Sequence, residues 1–275
     1  RAPSAATVQR LALLEQRTQR RFVVRSPEFV MNPALSVAIP VYNEAGNIES
    51  LIDEVCSVLR PLLTFEIVVV DDASEDGTRE VLHRCLSATP ELRVLRHTRQ
   101  VGQSRALCSA IGAARAAWVL TLDGDGQNDP RDIPALLASR DRVTETVQMH
   151  AGVRQRRRDN LIKRWSSRLA NAIRRAWLDD ASPDTGCGIK LILRAAFLRL
   201  PQFDHMHRYL AALIRRQGGE VLHVPVSHRA RASGQSKYGT LDRLWVGIDD
   251  LRGVAWLQRR HRATDVREIE RRIEG

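Results

Sequence analysis

Four short apolar runs, at residues 35–39, 65–70, 92–95 and 116–122, alternate with stretches of helical periodicity near 48–59, 78–86 and 104–115. Runs built from Val, Ile and Leu without polar alternation leave no face for water, so each predicts a strand covered on both sides. Helical segments between them carry the chain back for the next strand, which makes the sheet mostly parallel. The expected fold class is α/β, with helices on both faces of a mostly parallel central sheet. Ligands of such sheets sit beyond the carboxyl ends of the strands.

All four ends are polar. The first gives Pro40-Val-Tyr42-Asn43-Glu44, the second Asp71-Asp72-Ala-Ser74-Glu-Asp76-Gly77, the third His97-Thr-Arg99-Gln100-Val-Gly102, and the fourth Asp123-Gly-Asp125-Gly-Gln127. Three of these loops feed a helix N-terminus, where unpaired amides suit anionic groups. Two carboxylates and a carboxamide are hard oxygen ligands, and the glycines between them let the backbone bend around a Mg²⁺ or Mn²⁺ ion that also holds phosphate oxygens. Asp123, Asp125 and Gln127 are therefore the metal candidates. For a lone Asp-x-Asp, plain turn chemistry is the commoner explanation; the company of the other loops shifts the balance. Asp72 suits a base or ribose hydroxyl, Tyr42 can stack on a base, and Asp71 or Asp76 can cap a helix. No Gly-x-x-x-x-Gly-Lys-Ser/Thr is present, and no Gly-x-Gly-x-x-Gly follows the first strand. A nucleotide held through a metal and acidic loops remains, which fits a sugar nucleotide better than ATP.

The formal charge of +11 and pI near 10.6 call for an anionic partner: nucleic acid, an acidic membrane surface or a phosphorylated substrate. Nucleic acid explains the charge but not the ordered acidic loops, and there is no stacking platform or base-reading motif. Cys56, Cys85, Cys108 and Cys187 are scattered, which argues against structural zinc or a disulfide framework and fits a reducing compartment. No stretch approaches the ~20 apolar residues of a membrane span, and no signal peptide is visible. Residues 8–22 read as an amphipathic helix within an N-terminal extension, 1–34, ahead of a main domain at 35–239.

The sequences Val37-Ala-Ile-Pro-Val-Tyr-Asn-Glu44, Ile67-Val-Val-Val-Asp-Asp-Ala-Ser74 and Leu122-Asp-Gly-Asp-Gly-Gln127-Asn-Asp-Pro130 resemble the nucleotide-sugar domain of family 2 glycosyltransferases. With Arg231-Ala-Ser-Gly234-Gln-Ser236-Lys237-Tyr238 near the end, the chain is similar to the dolichyl-phosphate mannosyltransferase-like branch, which makes polyprenyl-phosphate sugars. The resemblance runs from about residue 35 to 238 and implies a GT-A type fold. It places Pro40, Tyr42, Glu44 and Asp72 around the nucleoside, and Asp123, Asp125 and Gln127 at the metal and diphosphate. Asp125 ranks above Asp123 as the carboxylate facing the ion. Arg154 with Lys163 or Arg164 falls where basic side chains hold the acceptor phosphate, and these lie in the densest positive run of the chain. Asp184, in Ser182-Pro-Asp-Thr-Gly186-Cys-Gly188, matches an Asp near the reacting sugar, although a turn Asp reads equally well. Arg229, Arg231 and Lys237 are the cations of a loop suited to closing over a departing diphosphate.

The reaction these resemblances imply is metal-dependent, inverting transfer from a UDP- or GDP-sugar to a polyprenyl phosphate, whose phosphate needs no protein base. A second reading, transfer to a saccharide hydroxyl, needs Asp184 as base. His205 and His207, two apart at the start of an expected helix, read as surface or acceptor-side residues. Residues 220–226 read as an edge strand, because Pro225 lacks an amide donor. Residues 240–275 combine Trp245 and Trp256 with Arg259-Arg260-His261-Arg262, which suggests an amphipathic helix on the anionic cytoplasmic face of a membrane; packing on the core is its alternative. A homo-oligomer or a membrane-protein partner stays open.

Overall fold

The structure, a computed structural model, describes residues 32–143, 146–155, 177–178, 182–229 and 240–260, with the backbone alone for 240–246. The elements below all belong to the compact unit Pro33–Gly275. Among the described residues a seven-stranded sheet runs in the order β3-β2-β1-β4-β6-β5-β7. The strands β1 (Leu35–Val41), β2 (Phe65–Asp71), β3 (Leu92–Arg96) and β4 (Trp118–Thr121) pair in parallel. Between them run helices α1 (Ile48–Leu59), α2 (Thr78–Ala88) and α3 (Gln103–Ala113).

Every residue of β1 and β2 is buried, and the pleat splits them between two cores. Val37, Ile39, Ile67 and Val69 meet Ile48, Ile52 and Val55 of α1 and Leu82 of α2 on one face. Ala38, Val68 and Val70 meet Ala106, Ala110 and Ile111 of α3 on the other. That double coverage is why these strands are apolar at successive positions.

The second half contains β5 (Val147–Arg154), β6 (Lys190–Leu193) and β7 (Glu220–Val226), with α4 (Ile133–Arg140), α5 (Arg194–Leu198), α6 (Leu210–Arg216) and α7 (Thr240–Arg260). The strand β6 is antiparallel to both β4 and β5, and β5 is parallel to β7. This one reversal sets Lys190, at the start of β6, opposite Thr121 at the end of β4 and opposite Ala151 of β5. Carboxyl ends of six strands and the amino end of β6 thus share one edge. As expected, β7 lies at the sheet edge, where the missing N–H of Pro225 costs no rung.

Two expectations change. No helix begins at His205: that residue is left-handed at φ 63°, a 3₁₀ turn follows at Met206–Arg208, and α6 starts only at Leu210. And α7 is tied to the body. Leu251, Val254 and Ala255 are buried in the core that holds α6, Arg216 Nε donates to the Leu257 carbonyl, and Tyr209 donates to the Gly247 carbonyl. Trp256 stays 55% exposed. No helix among the described residues is long and apolar enough to cross a membrane.

Candidate active site

The site begins with a proline in a central strand. Ala38 O accepts from Leu122 N on the β4 side, and Val41 O accepts from Asp72 N on the β2 side. Pro40 therefore faces β4, two residues beyond the last paired position, Ala38 with Thr121. Its missing amide donor removes a rung where β4 is already turning away, and the space between the two strand ends becomes a cleft.

The β1 and β2 loops are stitched together. Asn43, left-handed at φ 56°, donates its backbone N–H to Ser74 Oγ and accepts from Glu75 N at Oδ1. Tyr42 and Glu44 sit half-buried on this loop, and the Glu44 carboxylate accepts from Asn47 Nδ2 at 2.7 Å. Asp71 pairs with Arg96 and accepts from Ser74 N. Asp72, the nucleoside candidate on the β2 loop, has its carboxylate bonded within the protein. It is 3% exposed, its oxygens take the N–H groups of Val101 and Gly102, and His97 Nδ1 lies 2.7 Å away. Those bonds commit the carboxylate to holding the loop before α3, where Gly102 adopts φ 91°.

What that loop delivers is Gln103, whose Nε2 donates to Asp123 Oδ1 at 2.8 Å. Asp123 lines a cleft of about 360 Å³ together with Pro40, Gln127, Lys190, His207 and Arg208. Burial, reinforced by Asp125, pushes its carboxyl up to about 6 against the pull of Lys190, Arg154 and Gln103. At Gly188 a Cβ would collide with Asp123 Oδ2 and lie 2.5 Å from Asn128 Oδ1, so any larger residue would displace those side chains. The Asp-Gly-Asp-Gly-Gln loop turns through Gly126 at φ 72°, with Gln127 N donating to Asp125 Oδ1. Asp123 and Gln127 face the cleft, while Asp125 is on the same turn but not among the lining residues.

Arg229, a candidate for the departing diphosphate, is held here by carboxylates of the protein. Its guanidinium bridges Glu54 and Asp129, each at 2.6 Å, and its backbone N–H donates to Gln127 O. Burial alone would raise the Asp129 carboxyl, but its bonds to Arg131 and Arg229 outweigh that and hold it at about 2. Arg229 thus clamps the metal-candidate loop from behind.

Across the cleft, Arg154 and Asp184 bind one another. Arg154 Nε and Nη2 donate to the two Asp184 oxygens at 2.6 and 2.7 Å, with side chains 14% and 6% exposed. Lys190 is buried, donates to the Cys187 carbonyl, and has its pKa lowered by burial against the opposing charge of Asp123. His207 meets Ser104 Oγ at 2.7 Å; burial, with Lys190 and Arg208 nearby, pushes it down to about 3, so the ring is neutral. Lys163, Arg164, Arg231 and Lys237 lie outside the described residues.

The sequence model of glycosyl transferase family 2 matches residues 36–200. The chain belongs to that family. Among curated proteins it is 28% identical over 235 residues to the dodecaprenyl-phosphate galacturonate synthase of Rhizobium johnstonii, covering 84% of this chain and 69% of the relative. It is 30% identical over 218 residues to the undecaprenyl-phosphate 4-deoxy-4-formamido-L-arabinose transferase of Pseudomonas paraeruginosa, covering 78% of this chain and 63% of the relative. The fold matches glucosyl-3-phosphoglycerate synthase from Mycobacterium tuberculosis in complex with UDP, with TM-score 0.61, 20% identity and 82% and 80% of the two chains covered. It also matches a Pyrobaculum calidifontis mannosyltransferase solved with GDP-Man and Mn²⁺, with TM-score 0.60, 22% identity and coverage of 94% and 73%. The family's GT-A type sheet is thus the one expected.

Gln103, Lys190, His207 and Arg208 are the site residues that this family 2 sequence conceals. Gln103 and Lys190 open a helix and a strand with no motif around them. The two-residue spacing of His205 and His207 was legible, but the left-handed residue that turns His207 into the cleft was not.

Proposed function

We propose that this domain transfers a sugar from a UDP- or GDP-sugar to a polyprenyl phosphate, with inversion at the anomeric carbon. The carrying observation is the Arg154–Asp184 pair. A hydroxyl acceptor needs a base, and the one carboxylate suited to that has both oxygens bound to a guanidinium. A phosphate monoester is already anionic near neutral pH and needs none. The polyprenyl-phosphate names of the two curated relatives support the same acceptor, although the chain spans only about two thirds of their length.

A divalent cation fits the donor set. Asp123, Asp125 and Gln127 offer hard oxygens on a glycine-bent turn, and no group of three or more His, Cys, Asp or Glu among the described residues would cage an ion alone. The donor diphosphate would complete the coordination, as Mg²⁺ and Mn²⁺ sites usually require. When bound, the ion would offset the charge of the leaving diphosphate. The protein's own part is positional: Gln103 fixes the Asp123 carboxylate, the Arg229 clamp holds the loop behind it, and Pro40 opens the cleft. Arg154, with Lys163 or Arg164, would take the acceptor phosphate, and Arg231 with Lys237 the leaving group. Tyr42 and Glu44 would face the nucleoside. We assign residues 35–239 to the catalytic domain, flanked by the N-terminal extension and the α7 region. The chain would work against the anionic cytoplasmic face of a membrane, where such an acceptor resides.

The test is transfer from a panel of nucleotide sugars to a short polyprenyl phosphate with Mn²⁺ or Mg²⁺, reading product anomer by NMR. Retained configuration, or transfer only to saccharide hydroxyls, would overturn the reading.

A further inference from the structure

The cleft beside Asp123 is lined by a guanidinium that none of its carboxylates engages. Asp184 is matched by Arg154, and Asp123 lies opposite the buried ammonium of Lys190. Arg208 remains. Its side chain lines the cleft and makes no hydrogen bond or ion pair among the described residues. The carboxylate that feels its charge, Asp250, makes no ion pair with it and lies 3.0 Å from His205 Nδ1. His207 beside it is neutral and held by Ser104, so it lends hydrogen-bonding capacity without charge. Arg208 is half-buried, and its fork of N–H donors matches a planar carboxylate in two-point geometry.

We propose that Arg208 is a donor-specificity residue and that the sugar carried by the nucleotide bears a carboxylate, a hexuronic acid, which Arg208 binds in this cleft. The assignment rests on the nucleotide-sugar reading above and deepens it. The cleft, of about 360 Å³ and lined by Asp123 and Gln127, adjoins the Asp-Gly-Asp-Gly-Gln turn where the diphosphate would lie. A sugar ring with one anionic arm suits that position. A neutral hexose would leave the guanidinium without a partner in a partly desolvated site, an arrangement that discriminates against ligands lacking the matching group.

The experiment measures binding of matched pairs, UDP-glucose with UDP-glucuronate, UDP-galactose with UDP-galacturonate and GDP-mannose with GDP-mannuronate, by calorimetry with Mn²⁺. Wild type and the variants Arg208→Gln and Arg208→Lys are compared. The uronate of at least one pair should bind about tenfold or more tighter than its neutral partner, about 1.4 kcal/mol. Arg208→Gln should collapse that preference to within about twofold, and Arg208→Lys should keep part of it because the charge survives without the fork. Circular dichroism and melting temperature establish that both variants are folded. Neutral sugars binding as well as uronates would overturn the assignment alone. So would an Arg208→Gln variant with intact donor preference but a raised KM for the polyprenyl phosphate, since Arg208 would then serve the acceptor. No nucleotide sugar binding at all would instead remove the proposed function, and this assignment with it.

Discussion

Asp123 binds its proton more tightly than a free carboxylate, and that gives the site a pH signature. Its folded value of about 6 stands above the ordinary 3.8. Between those values the folded state holds more protons than the unfolded one, so stability from this group falls as pH rises through the window. A cation pulls the other way because it requires the ionised form. The melting-temperature gain from Mn²⁺ plus nucleotide should therefore be small at about pH 5 and approach a plateau near pH 7. Asp123→Asn should flatten that dependence; equal gains at both pH values would contradict it. Asp125→Asn removes one charge without changing shape. It should lower turnover on the order of a hundredfold or more, the scale of losing one group that stabilises transition-state charge. Its melting temperature should stay within about 2 °C of wild type. Residue-scale legibility followed sequence contiguity. Asp123, Asp125 and Gln127 share one turn and could be read together. The partnership of Arg154 with Asp184 spans 30 residues, and no local pattern announces a pairing between the end of β5 and the loop before β6. The bonds from Asp72 to the N–H groups of Val101 and Gly102 span 29 and 30 residues and were hidden for the same reason.

Elements were legible where burial on both faces imposed an unbroken apolar run. This is why β1 and β2 appeared within a few residues of their observed bounds, whereas β3, at the sheet edge, is only partly buried. The antiparallel β6 has only four residues, too few for a period to show, and its direction depends on partners far away in sequence. Yet β6 is what brings Lys190 and Gly188 to the catalytic edge. The clamp on the Asp123–Gln127 loop is another contact between elements: Arg229, after β7, ties Glu54 of α1 to Asp129, the N-cap of a second 3₁₀ turn at Pro130–Asp132. Its predicted consequence is structural. Arg229→Met leaves Asp129, 6% exposed, with only Arg131, and should destabilise the fold by about 1–3 kcal/mol. For a domain of this size, that is a fall of several degrees in melting temperature. Turnover should drop with loop order, and saturating Mn²⁺ and nucleotide should restore part of the stability. If Arg229 instead gripped the leaving diphosphate, turnover would fall while melting temperature stayed unchanged, and differential scanning calorimetry beside kinetics separates the two.

At the scale of the whole molecule the +11 charge and the exposed surface of α7 both suit an anionic partner. Its buried face, with Leu251, Val254 and Ala255, shows that the helix is held by the protein and not by lipid, so any membrane contact belongs to the other face. There Trp256 is 55% exposed and Arg260 stands 5.9 Å from its ring centroid, an aromatic and a cation side by side as interfacial segments carry them. Arg259 and Arg215 line an open groove beside exposed Trp177. An anionic leaflet attracts such a surface at about 1 kcal/mol per nearby Lys or Arg, and the attraction fades within the Debye length, about 10 Å at 0.1 M salt. Co-sedimentation should show binding to vesicles containing phosphatidylglycerol and little to pure phosphatidylcholine, with most of the bound protein released when salt rises to about 0.5 M. Trp256→Ala should weaken vesicle binding severalfold while leaving the melting temperature nearly unchanged, because the indole is largely outside the core. Binding to both vesicle types alike, or binding indifferent to salt, would mean that the positive surface does not serve a membrane, and the acceptor would then have to reach the cleft by another route.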